Sequence, residues 1–115
     1  MLFRSEAAAC GIPVISAYNT AMTDYLDDEV SWSVPPESVS PADENLAWIS
    51  EYYRGQDFAV YGEESIDKFG KLMRVAMDDK DAARRKSEAF RNKVLSEYTW
   101  DRCAERVSAE LFPGG

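Results

Sequence analysis

Glu6 is the residue of this 115-residue chain best placed for binding chemistry, because it lies in a short helical segment whose end is written in the sequence. Residues 2–10 carry good helix formers, Gly11 is the usual left-handed terminator, and Pro13 cannot continue the helix. The start of such a helix favours an anion through its free N–H groups and its dipole. Read from the residues alone, Glu6 either serves a ligand or complements the dipole of its own helix, an interaction of about 0.3–1 kcal/mol. Asp27-Asp28 and Asp78-Asp79 are paired carboxylates of the kind that hold a divalent ion, but Asp28 and Asp79 read more simply as a turn residue and a helix-start residue, and no metal is expected. Asp24 is either a loop residue facing a ligand or a turn residue, and Trp32, Trp48 and Trp100 either stack on sugars or fill a core.

What is missing narrows the chemistry further. The chain has no histidine, so it cannot build a Ser-His-Asp or Cys-His site of its own, and no catalytic residue is assigned. Cys10 and Cys103 are too few and too far apart for a disulfide framework or a zinc site and are expected to be reduced and buried. With 13 basic and 21 acidic residues the net charge is −8, which repels nucleic acid and anionic lipid. The run Arg84-Arg85-Lys86 is either a local basic patch or a solvated helix face. No apolar run approaches the roughly twenty residues of a membrane span, and the first residues carry no signal-peptide pattern, so a cytoplasmic protein is expected.

The elements that must position Glu6 follow from local signals. A strand is predicted over 13–17, a loop or single helical turn over 17–28, and a second strand over 30–34, where apolar and polar residues alternate before Pro35-Pro36. Ser40 as N-cap and Pro41 at the first helical position predict a helix reaching Tyr53, with Leu46, Ile49 and Tyr53 inward and Gly55 ending it. Ile66, Phe69, Leu72, Met73 and Ala76 mark a core helix over 63–77. Ala83, Phe90, Val94 and Tyr98 are the inward positions of a helix over 79–98, and Thr99 caps a last helix over 100–111. Two strands among five helices leave an open sheet edge, which predicts a homo-oligomer formed by strand pairing.

Glu6, Ala7, Ala9, Gly11, Pro13 and Val14 stand in the register of Glu-x7-Glu followed by Ala-x-Ala-x-Gly-x-Pro-Val, with Glu6 as the second glutamate. Thr23-Asp24-Tyr25-Leu26, Ser31-Trp32-Ser33-Val34-Pro35, Tyr53-Arg54-Gly55-Gln56 and Tyr98-Thr99-Trp100 follow in order. Over nearly its whole length the chain resembles the retaining, nucleotide-sugar-dependent glycosyltransferases of the GT-B fold, family 4 type. The resemblance implies an α/β fold, an incomplete Rossmann-like domain with few parallel strands and a helical C-terminal tail, residues 1–115 forming the C-terminal half of a donor-binding domain. It implies that Glu6 accepts hydrogen bonds from the ribose hydroxyls of a nucleotide-sugar donor, that the backbone amides of Leu2 and Phe3 face its diphosphate, and that no cofactor takes part.

Two departures qualify the expectation. The family's first glutamate would precede Met1, and the glycine often found near residues 19–22 is replaced by Asn19-Thr20-Ala21-Met22, which leaves the shape of that loop open. The expected function is therefore that of a glycosyltransferase fragment, silent in isolation. The contrasting expectation is a non-enzymatic dimeric scaffold or partner module.

Overall fold

Helix α1 (Leu2–Ala9) ends at Gly11, which takes φ +73°. In the computed structural model, which describes residues 2–43 and 51–113, the Gly11 amide donates to the Ala8 carbonyl at 2.8 Å and the Ile12 amide to the Ala7 carbonyl at 2.9 Å. This pair of bonds satisfies the last helical carbonyls and needs a left-handed residue, which glycine supplies without a Cβ clash. The chain then enters β1 (Ile15–Ala17), which pairs in parallel with β2 (Trp32–Val34), Ile15 opposite Trp32 and Ala17 opposite Val34. Both strands are shorter than the expected 13–17 and 30–34. Asp27 explains the late start of β2: its main-chain oxygen accepts from the Val30 and Ser31 amides, and its Oδ1 accepts from the Glu29 and Val30 amides at 2.9 and 3.1 Å. Those amides are committed to a turn, so the ladder begins at Trp32. Between β1 and β2 lies the expected single turn, a 3-10 segment at Thr20–Asp24.

The largest departure from expectation lies between β2 and the C-terminal helices. Ser40 and Pro41 do not start a helix; they belong to β3 (Ser38–Pro41), which pairs antiparallel with β4 (Asp57–Val60). The ribbon is extended by the Ala42 amide on the Gln56 carbonyl at 2.8 Å and the Glu37 amide on the Val60 carbonyl at 3.0 Å. Pro41 is tolerated because it sits at the end of the strand, where a missing N–H breaks no central ladder bond. Leu46 and Ile49 of the expected helix lie outside the described residues, and Tyr53 closes a 3-10 turn, Glu51–Tyr53. Gly55 does end that turn, at φ +72°, and sends the chain into β4.

Three helices follow, α2 (Glu63–Asp78), α3 (Lys80–Glu97) and α4 (Trp100–Leu111). The Asp79 side chain caps α3 by accepting from the Ala82 amide at 2.8 Å, and Thr99 caps α4 through the Arg102 amide at 3.3 Å. Gly62 at the start of α2 has no side chain, and Glu37 replaces it from the far end of the ribbon. Its Oε1 accepts from the Gly62 and Ser65 amides at 3.0 and 2.6 Å. Hydrogen bonding from Ser65, and then from Gly62, holds the Glu37 carboxyl below its ordinary pKa. A Cβ on Gly62 would stand 2.6 Å from Glu37 Oε2, so a side chain there would push the capping carboxylate aside.

The core gathers on one side of the β1–β2 pair. Ala8 of α1, Val14, Tyr25, Leu26 and Val30 meet Phe90 and Val94 of α3, with Phe90 fully buried and stacked on Tyr25 at 6.3 Å between ring centroids. Ala83, Phe90 and Val94 are inward as the helical spacing predicts; Tyr98 is half exposed yet bonded, its hydroxyl donating to the Asp24 carbonyl. Lys86 and Lys93 share that face. Lys86 donates to the Asp28 carbonyl and to the Ser31 carbonyl, and lies 5.4 Å over the Trp32 ring. Lys93 pairs with Asp27 at 2.8 Å. The run Arg84-Arg85-Lys86 thus makes no basic patch, since Lys86 grips the start of β2 and Arg84 pairs with Asp81. Helix α2 lies against β1 and β2, but its apolar stripe is not a core stripe. Ile66 and Met73 are exposed, Phe69, Leu72 and Ala76 are half-buried, and its one fully buried residue is Ser65. The radius of gyration is 17.7 Å, against about 13 Å for a compact domain of this length, and the shortest dimension is only 18 Å.

Two outcomes follow from this packing. Phe90→Ala removes a fully buried ring, and its urea midpoint should correspond to a loss of about 3–5 kcal/mol. Burial opposes the charge on Asp27, but Lys93 and the Glu29 and Val30 amides outweigh it and hold its carboxyl below the ordinary 3.8. The pair therefore stabilises the fold above pH 3.8 and the contribution is lost as pH falls below that value. Lys93, raised above 10.5 chiefly by the bond to Asp27, contributes below pH 10.5 and loses this as pH rises further. Lys93→Met should flatten both limbs of a stability–pH curve by less than about 1 kcal/mol, because Asp27 is 46% exposed.

Candidate functional site

A groove of about 520 Å³ opens where α1, the Thr20–Asp24 turn and the start of α4 meet. Helix α1 lends Ser5, Glu6 and Ala9, and the turn lends Ala21, Asp24 and Tyr25. The end of α3 adds Val94 and Tyr98; α4 adds Trp100 and Cys103. The wall is fixed by aromatic packing. Tyr25 lies stacked on Phe90 and edge-on to Tyr98 at 6.3 Å, and the Tyr98 hydroxyl donates to the Asp24 carbonyl at 3.3 Å.

Glu6 is exposed on this wall, in the middle of α1 rather than in its first turn, which contains no acidic residue. The reading of Glu6 as a partner of its own helix dipole therefore loses its geometric basis, because the dipole acts within the first turn. Leu2 and Phe3 occupy that first turn, where backbone amides have no intrahelical acceptor. Asp24 and Trp100, each given two readings from sequence, both line the groove. Trp100 is 86% exposed and not a core residue, Trp32 is half-buried under Lys86, and Trp48 lies outside the described residues. Cys10 and Cys103 are free thiols but exposed, contrary to the expected burial; Cys10 sits where α1 ends at the surface and Cys103 on a helix with no buried residue. Asp28 and Asp79 hold turn and helix-start positions, and among the described residues no group of three or more His, Cys, Asp or Glu is assembled.

The turn that carries Asp24 is strained at one residue. Thr20 has φ +48°, a left-handed conformation that a β-branched residue avoids because Cβ crowds the following carbonyl. Thr20 lies within the stretch 19–22 where the resemblance leads one to expect glycine, so the backbone keeps a glycine-like shape without the glycine. The groove's aromatic wall was not legible in advance, and for Trp100 the sequence left two readings open. The one available signal, a tryptophan just after the Thr99 cap, is shared with ordinary core helices.

A family model described as Family 4 Glycosyltransferase in conflict systems matches residues 2–107. The chain belongs to this family. No curated protein and no solved structure matches it. The matched span of the family 4 glycosyltransferase domain includes every residue that lines the groove and all of α1 to α3, so the groove is part of the family domain itself. The α/β fold with its two-stranded parallel sheet is compatible with part of a Rossmann-like domain. Among the described residues, no helix is long and apolar enough to cross a membrane.

Thr20→Gly should raise stability by about 0.5–1 kcal/mol. That is the strain of ~1–2 kcal/mol relieved, less the extra chain entropy of glycine. Thermal unfolding of the two proteins side by side measures it; a loss of stability would mean that the Thr20 side chain does more than strain the turn.

Proposed function

We propose that this chain forms the nucleotide-facing half of a donor-binding domain in a retaining glycosyltransferase of the GT-B type, and that a further domain completes the site. The observation that carries this reading is the position of Glu6: an exposed carboxylate on the groove, in no ion pair among the described residues and away from its own helix terminus. On this reading Glu6 accepts hydrogen bonds from two ribose hydroxyls of a nucleotide-sugar, and the amides of Leu2 and Phe3 face the diphosphate. Transfer of the sugar leaves a nucleoside diphosphate whose charge must be stabilised. Among the described residues no lysine or arginine lines the groove to do so, which supports a chain that is silent by itself.

A second reading, a dimeric scaffold or partner module without activity, is favoured by two open surfaces. The backbone of Ile15 and Ala17 faces away from β2, and among the described residues no strand pairs with that outer edge of β1, where the Ala17 carbonyl accepts only from the Ser16 hydroxyl at 3.0 Å. Trp100, Val107 and Leu111 are exposed along α4.

Glu6→Gln keeps the shape and removes the charge, and a charge-assisted bond of about 1.5–3 kcal/mol corresponds to roughly a tenfold to hundredfold loss of donor affinity in the complete enzyme. Unchanged nucleoside diphosphate affinity with lowered stability would leave Glu6 a purely structural residue. The purified chain should show no sugar transfer above the rate without enzyme; measurable transfer would overturn the half-site reading. Light scattering at micromolar concentration should show a dimer, and a persistent monomer would remove strand pairing from the account.

A further inference from the structure

The two edges of the β3–β4 ribbon are not alike. The Ala42 amide donates to the Gln56 carbonyl, and the register continues with Pro41 opposite Asp57, Ser40 opposite Phe58 and Val39 opposite Ala59. Inward and outward backbone groups alternate along an antiparallel pair, so Ser40 and Phe58 bond to each other, while Val39 and Pro41 point out from β3 and Asp57 and Ala59 out from β4. On the β3 side Pro41 has no N–H to offer, and its carbonyl accepts from the Ser40 hydroxyl at 3.4 Å. That edge is blocked. On the β4 side Asp57 and Ala59 carry both amide and carbonyl, and among the described residues no strand lies beyond them.

The β4 edge is also the accessible one. Asp57, Phe58 and Val60 are exposed and Ala59 is half-buried, whereas β1 holds a buried Ser16 between two half-buried residues. A ribbon of two strands is marginal in water and gains independent stability from further strands that share an apolar face. Phe58 and Val60, two positions apart, point to the same face and supply half of such a surface.

We propose that β4 pairs antiparallel with β4 of a second copy and joins two ribbons into one four-stranded sheet. This rests on the dimeric reading given above and moves its contact from β1 to β4. The segment Asp57-Phe58-Ala59-Val60-Tyr61 is self-complementary about Ala59. With Ala59 opposite its own copy, the outward amide and carbonyl of each Ala59 bond to the other, and Phe58 lies opposite Val60 on both sides of the two-fold axis. Aromatic and β-branched side chains are favourable cross-strand partners, and the four of them cover one face of the new sheet. Charge selects this register. Placing Phe58 opposite Phe58 would set the two Asp57 carboxylates at diagonal positions about 7–8 Å apart. The register centred on Ala59 separates the two Asp57 residues by about 14 Å along the strands, which matters for chains that each carry a net charge of −8.

Sedimentation of the full chain from micromolar to millimolar concentration tests the contact, with amide hydrogen exchange measured at both ends of the range. In the wild-type chain the Ala59 amide should exchange more slowly as the dimer forms, and the Val39 amide, on the blocked edge, should exchange at one rate throughout. Ala59→Pro removes an outward N–H and leaves the β3–β4 ladder its bonds. It should weaken the dimer at least about tenfold, since the two-fold axis removes the bond twice. Ala17→Pro does the same to the outer edge of β1 and should leave the dimer intact. Protection of the Phe58 and Tyr18 amides, which bond within each copy, shows that the variants keep their sheets; where a variant loses it, the wild-type exchange decides alone. A dimer whose Ala59 amide stays unprotected, or one that Ala17→Pro dissolves as readily as Ala59→Pro, would overturn the β4 contact and keep the dimeric reading. A chain that is still monomeric at millimolar concentration would remove both.

Discussion

The stacking of Phe90 on Tyr25 is the contact on which the rest of this structure depends. Tyr25 ends the strained turn that carries Asp24, and Phe90 lies midway along α3, the helix that packs on both α1 and α2. Around this stack α3 makes polar attachments at three points. Arg91 donates to the Ala9 carbonyl at the end of α1, Lys93 holds Asp27, and Lys86 holds the carbonyls of Asp28 and Ser31. Helix α1 and the loop into β2 are thereby fixed against one face of α3. The groove inherits its shape from that arrangement, since its floor is the gap left between elements that α3 has already placed.

Away from that face the molecule is open. Helix α2 and the β3–β4 ribbon are joined to each other by Glu37, whose carboxylate caps a helix that lacks a capping side chain of its own. Helix α4 has no buried residue, and Trp100, Val107, Leu111 and Phe112 are exposed along it and just beyond. A 12-residue helix is marginal in water without a packed face. The 18 Å thickness of the molecule expresses the same imbalance: a two-stranded parallel sheet gives its helices little surface to pack on. The small parallel sheet with its helices is compatible with part of a Rossmann-like fold, as in the family 4 glycosyltransferase domain to which the chain belongs.

Thr20 is the strained residue of the turn that carries Asp24. A glycine would hold φ +48° without strain, and the chain instead keeps the conformation with a β-branched residue and accepts a cost of about 1–2 kcal/mol. The turn survives because Tyr25 is anchored at its other end and because the Thr23 hydroxyl donates to the Thr20 carbonyl at 2.8 Å. Strain of this kind persists only where surrounding contacts over-determine the backbone.

By itself the sequence determined several features decided within a turn or two of chain. Gly11 ended α1, Asp79 and Thr99 capped α3 and α4, Gly55 reversed the chain, and the spacing of Ala83, Phe90 and Val94 chose the buried face of α3. These signals are legible because the capping oxygen and the amide it satisfies, or the residues of one helical face, lie three to seven positions apart. The family motif around Glu6 was legible for the same reason. The tertiary structure alone decided that Ser40 and Pro41 pair with the strand at Asp57–Val60, and that Glu37 caps a helix 25 residues away. It also decided that Trp100 and Cys103 face a groove and not a core, and that the stripe on α2 stays half-covered. Ribbon pairing satisfies backbone groups through partners far along the chain, and burial depends on what surface exists to pack against. Helical spacing specifies which residues share a face but says nothing about whether another element arrives to cover it.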